Sequence, residues 1–275
     1  MNKKGAILLA FIMVLSLAGT AFAQPPELSD MPGPRQSLVA LGDSITAGRG
    51  LEKNLNMVSR KAYPQLLGDE IDYRVTNLAV SGMTSGEILD EVKNNSRYRN
   101  AIARADMIIL NTGGADMLGF LYGVLEGYIV PTPEAVDEFI TGFGTNLYSV
   151  LAEIEMLNAG APVLLFDIYE PYPLALILEP EEYGRLMPLL FGVNQTIAGF
   201  EGADHIYLVN AYAAFDEYPG EVTEKAFLLF VDEVHLNEKG QLLLYNAAYE
   251  VVDTEGLQYS RPVPPGLAKK AAAAQ

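Results

Sequence analysis

The chain of 275 residues predicts an α/β fold, three layers in the order α/β/α around a five-stranded parallel sheet. Five short apolar runs recur along it: SLVALGD at 37–43, YRVTNLAV at 73–80, DMIILNTG at 106–113, PVLLFDIY at 162–169 and HIYLVNA at 205–211. Several are near-continuous in apolar residues rather than alternating, as strands buried on both faces should be. The segments between them read as helices, and strands that alternate with helices argue for a parallel sheet covered on both sides.

Taken in chain order, the first run breaks off at Gly42-Asp43-Ser44, inside the stretch LVALGDSITAGRGL. After the second run, TSGEILDEVKNN opens with Thr84 and Glu87 at capping-box spacing. After the third, apolar residues at Val136, Phe139, Ile140, Phe143, Leu147, Val150, Leu151, Ile154 and Leu157 follow a period close to 3.6, with Thr132 and Pro133 at the start and Gly160 past the end. After the fifth, Asn237 is placed to cap the helix EKGQLLLYNAAYEVVD. In such a sheet, function gathers beyond the carboxyl ends of the strands. Those ends carry Gly42-Asp43-Ser44, Ser81-Gly82, Gly113 to Asp116, Asp167 and, after the last strand, FVDEVHLNEKG.

The beginning of the chain has Lys3 and Lys4, then an uncharged apolar stretch, then Ala21-Phe22-Ala23, the order of a secretory signal peptide. Residues 1–23 are therefore expected to be a cleaved leader, 24–36 a linker and 259–275 a loose tail. The expected location is outside the cell. The chain has no Cys, which removes disulfides, thiol nucleophiles and Cys-bound zinc, and suits a bacterial export route. About 250 residues remain after the leader, enough for one large α/β domain. The formal net charge is −17, so phosphate backbones are repelled and nucleic acid is not expected as a partner.

Nucleophilic hydrolysis by a serine needs a base within hydrogen-bond reach and a third group that orients the base. Histidine is the natural base, and the chain has 2. His205 opens an apolar run and reads as a structural or solvated residue. His235 follows Asp232 by three residues, a spacing that lets a tight loop bring the carboxylate to the imidazole. The Gly-x-Ser-x-Gly elbow of α/β-hydrolases is absent.

Taken together, GDS at Gly42–Ser44, NLAVSGMTS with Gly82, NTGGADML and DEVHLNEKGQ resemble, in that order, the four blocks of the SGNH, or GDSL, hydrolase family. The resemblance runs from Leu38 to Tyr249, makes 37–258 the hydrolase domain and implies a flavodoxin-like topology. It implies Ser44 as nucleophile, His235 as general base and then acid, and Asp232 as the carboxylate that orients it. The backbone N–H groups of Ser44 and Gly82 would form two parts of an oxyanion hole. The family's third block reads Gly-x-Asn-Asp, and its Asn donates the third hydrogen bond. Here that position is Ala115, which has no side-chain donor. Loss of one such donor costs about 10²–10³ in turnover. Asn111 looks badly placed to replace it, whereas Asn77, Asn194 or an amide of Gly113 or Gly114 are candidates. Asp43 is expected to shape the turn and Asp116 to be structural.

The implied activity is a secreted carboxylic ester hydrolase that works through an acyl-enzyme on Ser44, with no cofactor and no metal. With 2 His and no Cys there are too few nitrogen or sulfur ligands for zinc, while calcium held by carboxylates alone stays open. The segments 117–130 and 172–193 are unusually apolar. They read either as an acyl-chain groove or lid built from Leu118, Phe120, Leu121, Tyr122, Leu189 and Leu190, or as helices packed on the domain. A groove would suit lipid-like esters and transient contact with a lipid or cell surface. A carbohydrate acetyl esterase is the alternative substrate class. A different class, a binding protein that has kept the scaffold without catalysis, is signalled by Ala115.

Overall fold

The computed structural model describes residues 35–54 and 57–259. The expected leader lies outside the described residues, as do nearly all of the expected linker and tail. The strands are β1 (Ser37–Gly42), β2 (Arg74–Asn77), β3 (Met107–Asn111), β4 (Val163–Phe166) and β5 (Ile206–Val209), each inside one of the five apolar runs. They pair in parallel in the order β2-β1-β3-β4-β5, with Leu41 opposite Leu110 and Leu110 opposite Leu165. This is the flavodoxin-like order, and its switch point lies between β1 and β3.

The described helices are α1 (Ser44–Ala47), α2 (Tyr63–Glu70), α3 (Ser85–Asn94), α4 (Ser96–Ile102), α5 (Gly114–Leu125), α6 (Pro133–Leu157), α7 (Leu174–Ile177), α8 (Pro180–Ala198), α9 (Ala211–Asp216), α10 (Val222–Leu229) and α11 (Glu238–Thr254). Alternate residues of each strand serve opposite faces. Val39, Leu41, Ile108, Leu110, Val163 and Leu165 pack with residues of α3, α4, α5, α6 and α8. Leu38, Ala40, Met107, Ile109, Leu164 and Phe166 pack with residues of α2, α9, α10 and α11. Covering both faces is why the strands carry so few polar residues, and each fully buried Leu or Ile contributes about 1.5–3 kcal/mol.

The helix signals in the sequence have physical counterparts. Thr84 and Glu87 form a reciprocal capping box on α3, and the Thr132 hydroxyl accepts from the Ala135 N–H at the start of α6. The Asn237 side chain accepts from the N–H groups of Lys239 and Gly240 on α11. Each such cap is worth about 1 kcal/mol.

Gly42 is where β1 must end. A Cβ there would stand 2.4 Å from Thr46 Oγ1 and 2.6 Å from the Asn111 carbonyl oxygen, so only glycine lets the strand turn into α1 this close to β3. The turn delivers Asp43 and Ser44 to the carboxyl edge of the sheet, at the switch point.

Candidate active site

Ser44 is the first residue of α1. Its Oγ lies 3.0 Å from His235 Nε2, and His235 Nδ1 lies 2.8 Å from Oδ2 and 3.0 Å from Oδ1 of Asp232. A carboxylate accepts only, so Nδ1 carries the proton and Nε2 is left to accept from the serine hydroxyl. Asp232 Oδ1 also accepts from the backbone N–H groups of Val234 (3.0 Å) and His235 (2.7 Å). Burial works to raise the pKa of Asp232, but these two N–H groups and the imidazole outweigh it and hold the carboxyl below its ordinary value. It stays a charged partner for the ring.

The loop that carries both residues is braced on several sides. Phe230 and Leu236 form an antiparallel bridge, and the Val231 N–H donates to the His235 carbonyl at 2.8 Å. Asn237 Nδ2 donates to the Leu228 carbonyl, and the Tyr169 hydroxyl donates to the Val234 carbonyl at 2.9 Å. The Tyr169 ring stacks on Phe215 with centroids 4.4 Å apart. The Asp-x-x-His spacing is therefore a held geometry rather than a surface accident.

On the other side of Ser44, Gly82 has φ +82° and lines the cleft. Neither its N–H nor that of Ser44 has a hydrogen-bond partner among the described residues. Asn77 braces this region: its Nδ2 donates to the Thr46 carbonyl and its Oδ1 accepts from the Ala79 N–H. Asp43 is buried beneath the nucleophile, and Oδ1 accepts from the Ile45 N–H at 2.9 Å. Burial pushes its pKa up to about 6, against the pull of the Ile45 and Ala115 N–H groups. The N–H of Ala115 is thus engaged by Asp43, and its side chain brings no donor. Asp116 accepts from Ser85 N–H (2.9 Å) and Oγ (2.6 Å), tying α5 to α3.

Asp43, Ser44, Gly82, Ala115 and His235 line a cleft of about 420 Å³ together with Arg49, Asn111, Gly114, Met117, Leu118, Gly119, Tyr122, Asp167, Ile168, Tyr169, Pro171, Leu186 and Val234. Of the apolar residues expected to build a groove, Leu118 and Tyr122 line the cleft. Phe120, Leu121, Leu189 and Leu190 are buried in the core, so at these four positions the packed-helix reading is the correct one. All three asparagines are held by the protein itself. Asn111 is on the cleft wall, with Nδ2 3.4 Å from the Tyr63 hydroxyl. Asn77 is spent on α1, and Asn194 exchanges two hydrogen bonds with the backbone of Ile168. Gly113, at φ +110°, faces Ile168, Phe143 and Val193 in the core, whereas Gly114 reaches the cleft.

Sequence reasoning gave no site role to Arg49, Asp167 or Tyr169. Asp167 Oδ1 accepts from the Tyr212 N–H at 2.9 Å, and burial pushes its pKa up to about 6 against the Tyr212 and Ala211 N–H groups. A second depression, of about 830 Å³, runs along β5 and α11 and holds His205 with Glu201, Glu217 and Glu250. It contains no serine, and His205 precedes β5, at the opposite end of the strand from the cleft.

The family model described as GDSL-like lipase/acylhydrolase matches residues 40–243, spanning all four motif blocks. The chain belongs to this family. This GDSL-family hydrolase is similar in fold to the lipase Lip_vut3 from a goat rumen metagenome, at TM-score 0.60 and 22% identity over 78% of this chain and 97% of that one. It is also similar to phospholipase A1 from Streptomyces albidoflavus NA297, at TM-score 0.59 and 18% identity over 79% and 99% of the two chains. A mutant acetyl-xylooligosaccharide esterase from Geobacillus aligns at TM-score 0.53 and 20% identity over 84% and 98%. No curated protein matches the chain.

Proposed function

We propose that this GDSL-family hydrolase is an exported serine esterase that cleaves carboxylic esters of lipid-like character through an acyl-enzyme on Ser44. The observation that carries the reading is the continuous hydrogen-bonded line from Ser44 Oγ through His235 to both oxygens of Asp232. His235 Nε2 takes the Ser44 proton as Oγ bonds to the ester carbonyl carbon, and the carbonyl oxygen gains the negative charge. The free N–H groups of Ser44 and Gly82 receive that oxyanion. His235 then returns the proton to the alcohol oxygen as the C–O bond breaks. A water molecule, deprotonated by the same nitrogen, hydrolyses the acyl-Ser44 ester, and the serine regains its proton.

The lipid-like character rests on the apolar lining by Met117, Leu118, Tyr122, Ile168, Pro171 and Leu186. Export rests on the leader pattern over residues 1–23. Similarity to a lipase and a phospholipase A1 agrees with this substrate class, though it adds only shared fold.

Hydrolysis of p-nitrophenyl butyrate and octanoate, beside the Ser44→Ala variant, is the test. The expected outcome is turnover by the native protein and a fall to background in the variant, a loss of about 10⁴-fold or more. Equal rates in the two proteins would reject Ser44 as nucleophile.

A further inference from the structure

We propose that Arg49 makes this cleft selective for esters whose alcohol portion carries an oxyanion, a phosphate or a carboxylate. The proposal rests on Ser44 acting as nucleophile and adds the class of alcohol that the same site accepts.

Arg49 lies just past α1, is half-buried and lines the cleft. Its guanidinium makes no ion pair and no side-chain hydrogen bond among the described residues. Five other cations are committed: Arg35 pairs with Asp72, Lys61 with Glu238, Arg99 with Glu153 and Arg185 with Glu181, while Lys225 donates to the Asp216 carbonyl; what distinguishes Arg49 is its place in the cleft. In a chain with 35 acidic and 18 basic residues, an arginine left without a carboxylate inside a cleft holds five unused donors.

The cleft's own carboxylates do not supply the partner. Asp43 is bound to the Ile45 N–H, Asp167 to the Tyr212 N–H, and Asp232 to His235 and two backbone N–H groups. What remains for Arg49 is an anion that arrives with the substrate. The planar guanidinium fork matches a carboxylate or phosphate with two parallel hydrogen bonds, a fit that an ammonium does not reproduce.

Its place in the cleft says which part of the ester carries the anion. The neighbouring Gly50 packs against the histidine loop: a Cβ there would stand 2.6 Å from Val231 Cγ2 and 4.0 Å from His235 Cβ. Arg49 is therefore on the His235 side of the nucleophile, while the apolar lining of Leu118, Tyr122 and Leu186 belongs to α5 and α8. In the reaction proposed above, His235 must reach the alcohol oxygen to protonate it. An ester with its acyl chain along α5 then points its alcohol portion toward His235 and Arg49. The net charge of −17 opposes an anion at long range, but salt screens that field beyond about 8 Å, so recognition rests on the short contact.

The test uses butyryl esters of three phenols: 4-hydroxybenzoate, 4-hydroxyphenyl phosphate and the neutral 4-hydroxybenzamide. We expect the native protein to prefer a charged ester over the neutral one by about tenfold or more in kcat/KM, the scale of one charge-assisted hydrogen bond. In Arg49→Gln the charged-to-neutral ratio falls toward one, and in Arg49→Lys it is kept in part. A fall for the phosphate ester alone or the carboxylate ester alone supports the proposal and identifies the oxyanion. A ratio that is unchanged in Arg49→Gln overturns it.

Binding separates this proposal from the catalytic reading. Calorimetry of 4-hydroxyphenyl phosphate and 4-hydroxybenzoate with the Ser44→Ala protein needs no turnover. Adding Arg49→Gln should weaken Kd about tenfold or more for at least one of the two anions, and equal affinities for both would overturn the proposal. Activity that survives Ser44→Ala would sink the nucleophile assignment and leave the binding result to judge Arg49.

Discussion

The wall of the cleft that carries Arg49 and His235, with Asp232 behind the imidazole, is polar and held by backbone contacts, whereas the wall on α5 and α8 is one helix face and a neighbouring leucine. On the first wall Asp232 is fixed by two N–H groups and the loop by an antiparallel bridge, so most of its geometry is set by the backbone. On the second, Ala115, Leu118, Gly119 and Tyr122 fall at i, i+3, i+4 and i+7 of α5 and form one stripe facing the cleft. A change on that stripe alters what the cleft offers without touching the fold. This is how the protein keeps a complete serine-histidine-aspartate line while lacking a donor at position 115.

Restoring the donor is the strongest way to break that contrast. Ala115 is partly exposed on the cleft face, so Ala115→Asn adds its amide where the oxyanion forms. A well-placed third donor should raise kcat on p-nitrophenyl butyrate by about 10²-fold, with KM changing little, because the added hydrogen bond acts in the transition state. Unchanged kcat would mean that Asn111 or the Gly114 amide already serves the oxyanion, and the two walls would be equally equipped.

The uneven legibility of the sequence follows from the same division. Ser44, Gly82, Asp232 and His235 stand out because strand ends and a tight loop bring distant, chemically distinctive residues to one edge. The β-strands were legible because burial on both faces leaves continuous apolar runs. The face of α5 was not, because Phe120 and Leu121 on the core side are as apolar as Leu118 and Tyr122 on the cleft side. A helix apolar all round gives no phase. Arg49 and Tyr169 could not be assigned, since their membership of the cleft depends on how loops after β1 and β4 converge on the histidine loop.

A second contrast concerns the carboxylates, and it makes a stability prediction. Asp232 is held below its ordinary pKa, so its contribution is present above that value and lost as pH falls. Asp167 has the opposite sense: burial raises its pKa from 3.8 to about 6. The folded protein then binds more protons than the unfolded chain between about pH 4 and 6, and stability falls as pH rises through that window. A shift of this size corresponds to about 3 kcal/mol. Asp167→Asn removes this group and leaves Asp43, whose pKa burial also raises to about 6, so urea unfolding from pH 4 to 7 should still decline but less steeply than in the native protein, by up to about 3 kcal/mol. Parallel pH profiles would show that Asp167 is charged throughout and that burial there is weaker than its position implies.

The smallest expected effect tests whether the polar wall is braced from the apolar interior. Tyr169 belongs to the aromatic cluster with Phe215 and Phe230, yet its hydroxyl donates to the Val234 carbonyl beside His235. Burial raises its pKa well above the ordinary tyrosine value, so it remains a donor at every working pH. Tyr169→Phe keeps the ring and deletes one hydrogen bond, a cost of about 1 kcal/mol. If that bond holds the loop in register, kcat should fall by roughly 3- to 10-fold with KM nearly constant, and amide exchange at residues 231–235 should quicken. If stability falls by the same 1 kcal/mol while kcat and loop exchange stay as they were, the hydroxyl adds stability without setting the register of the histidine loop.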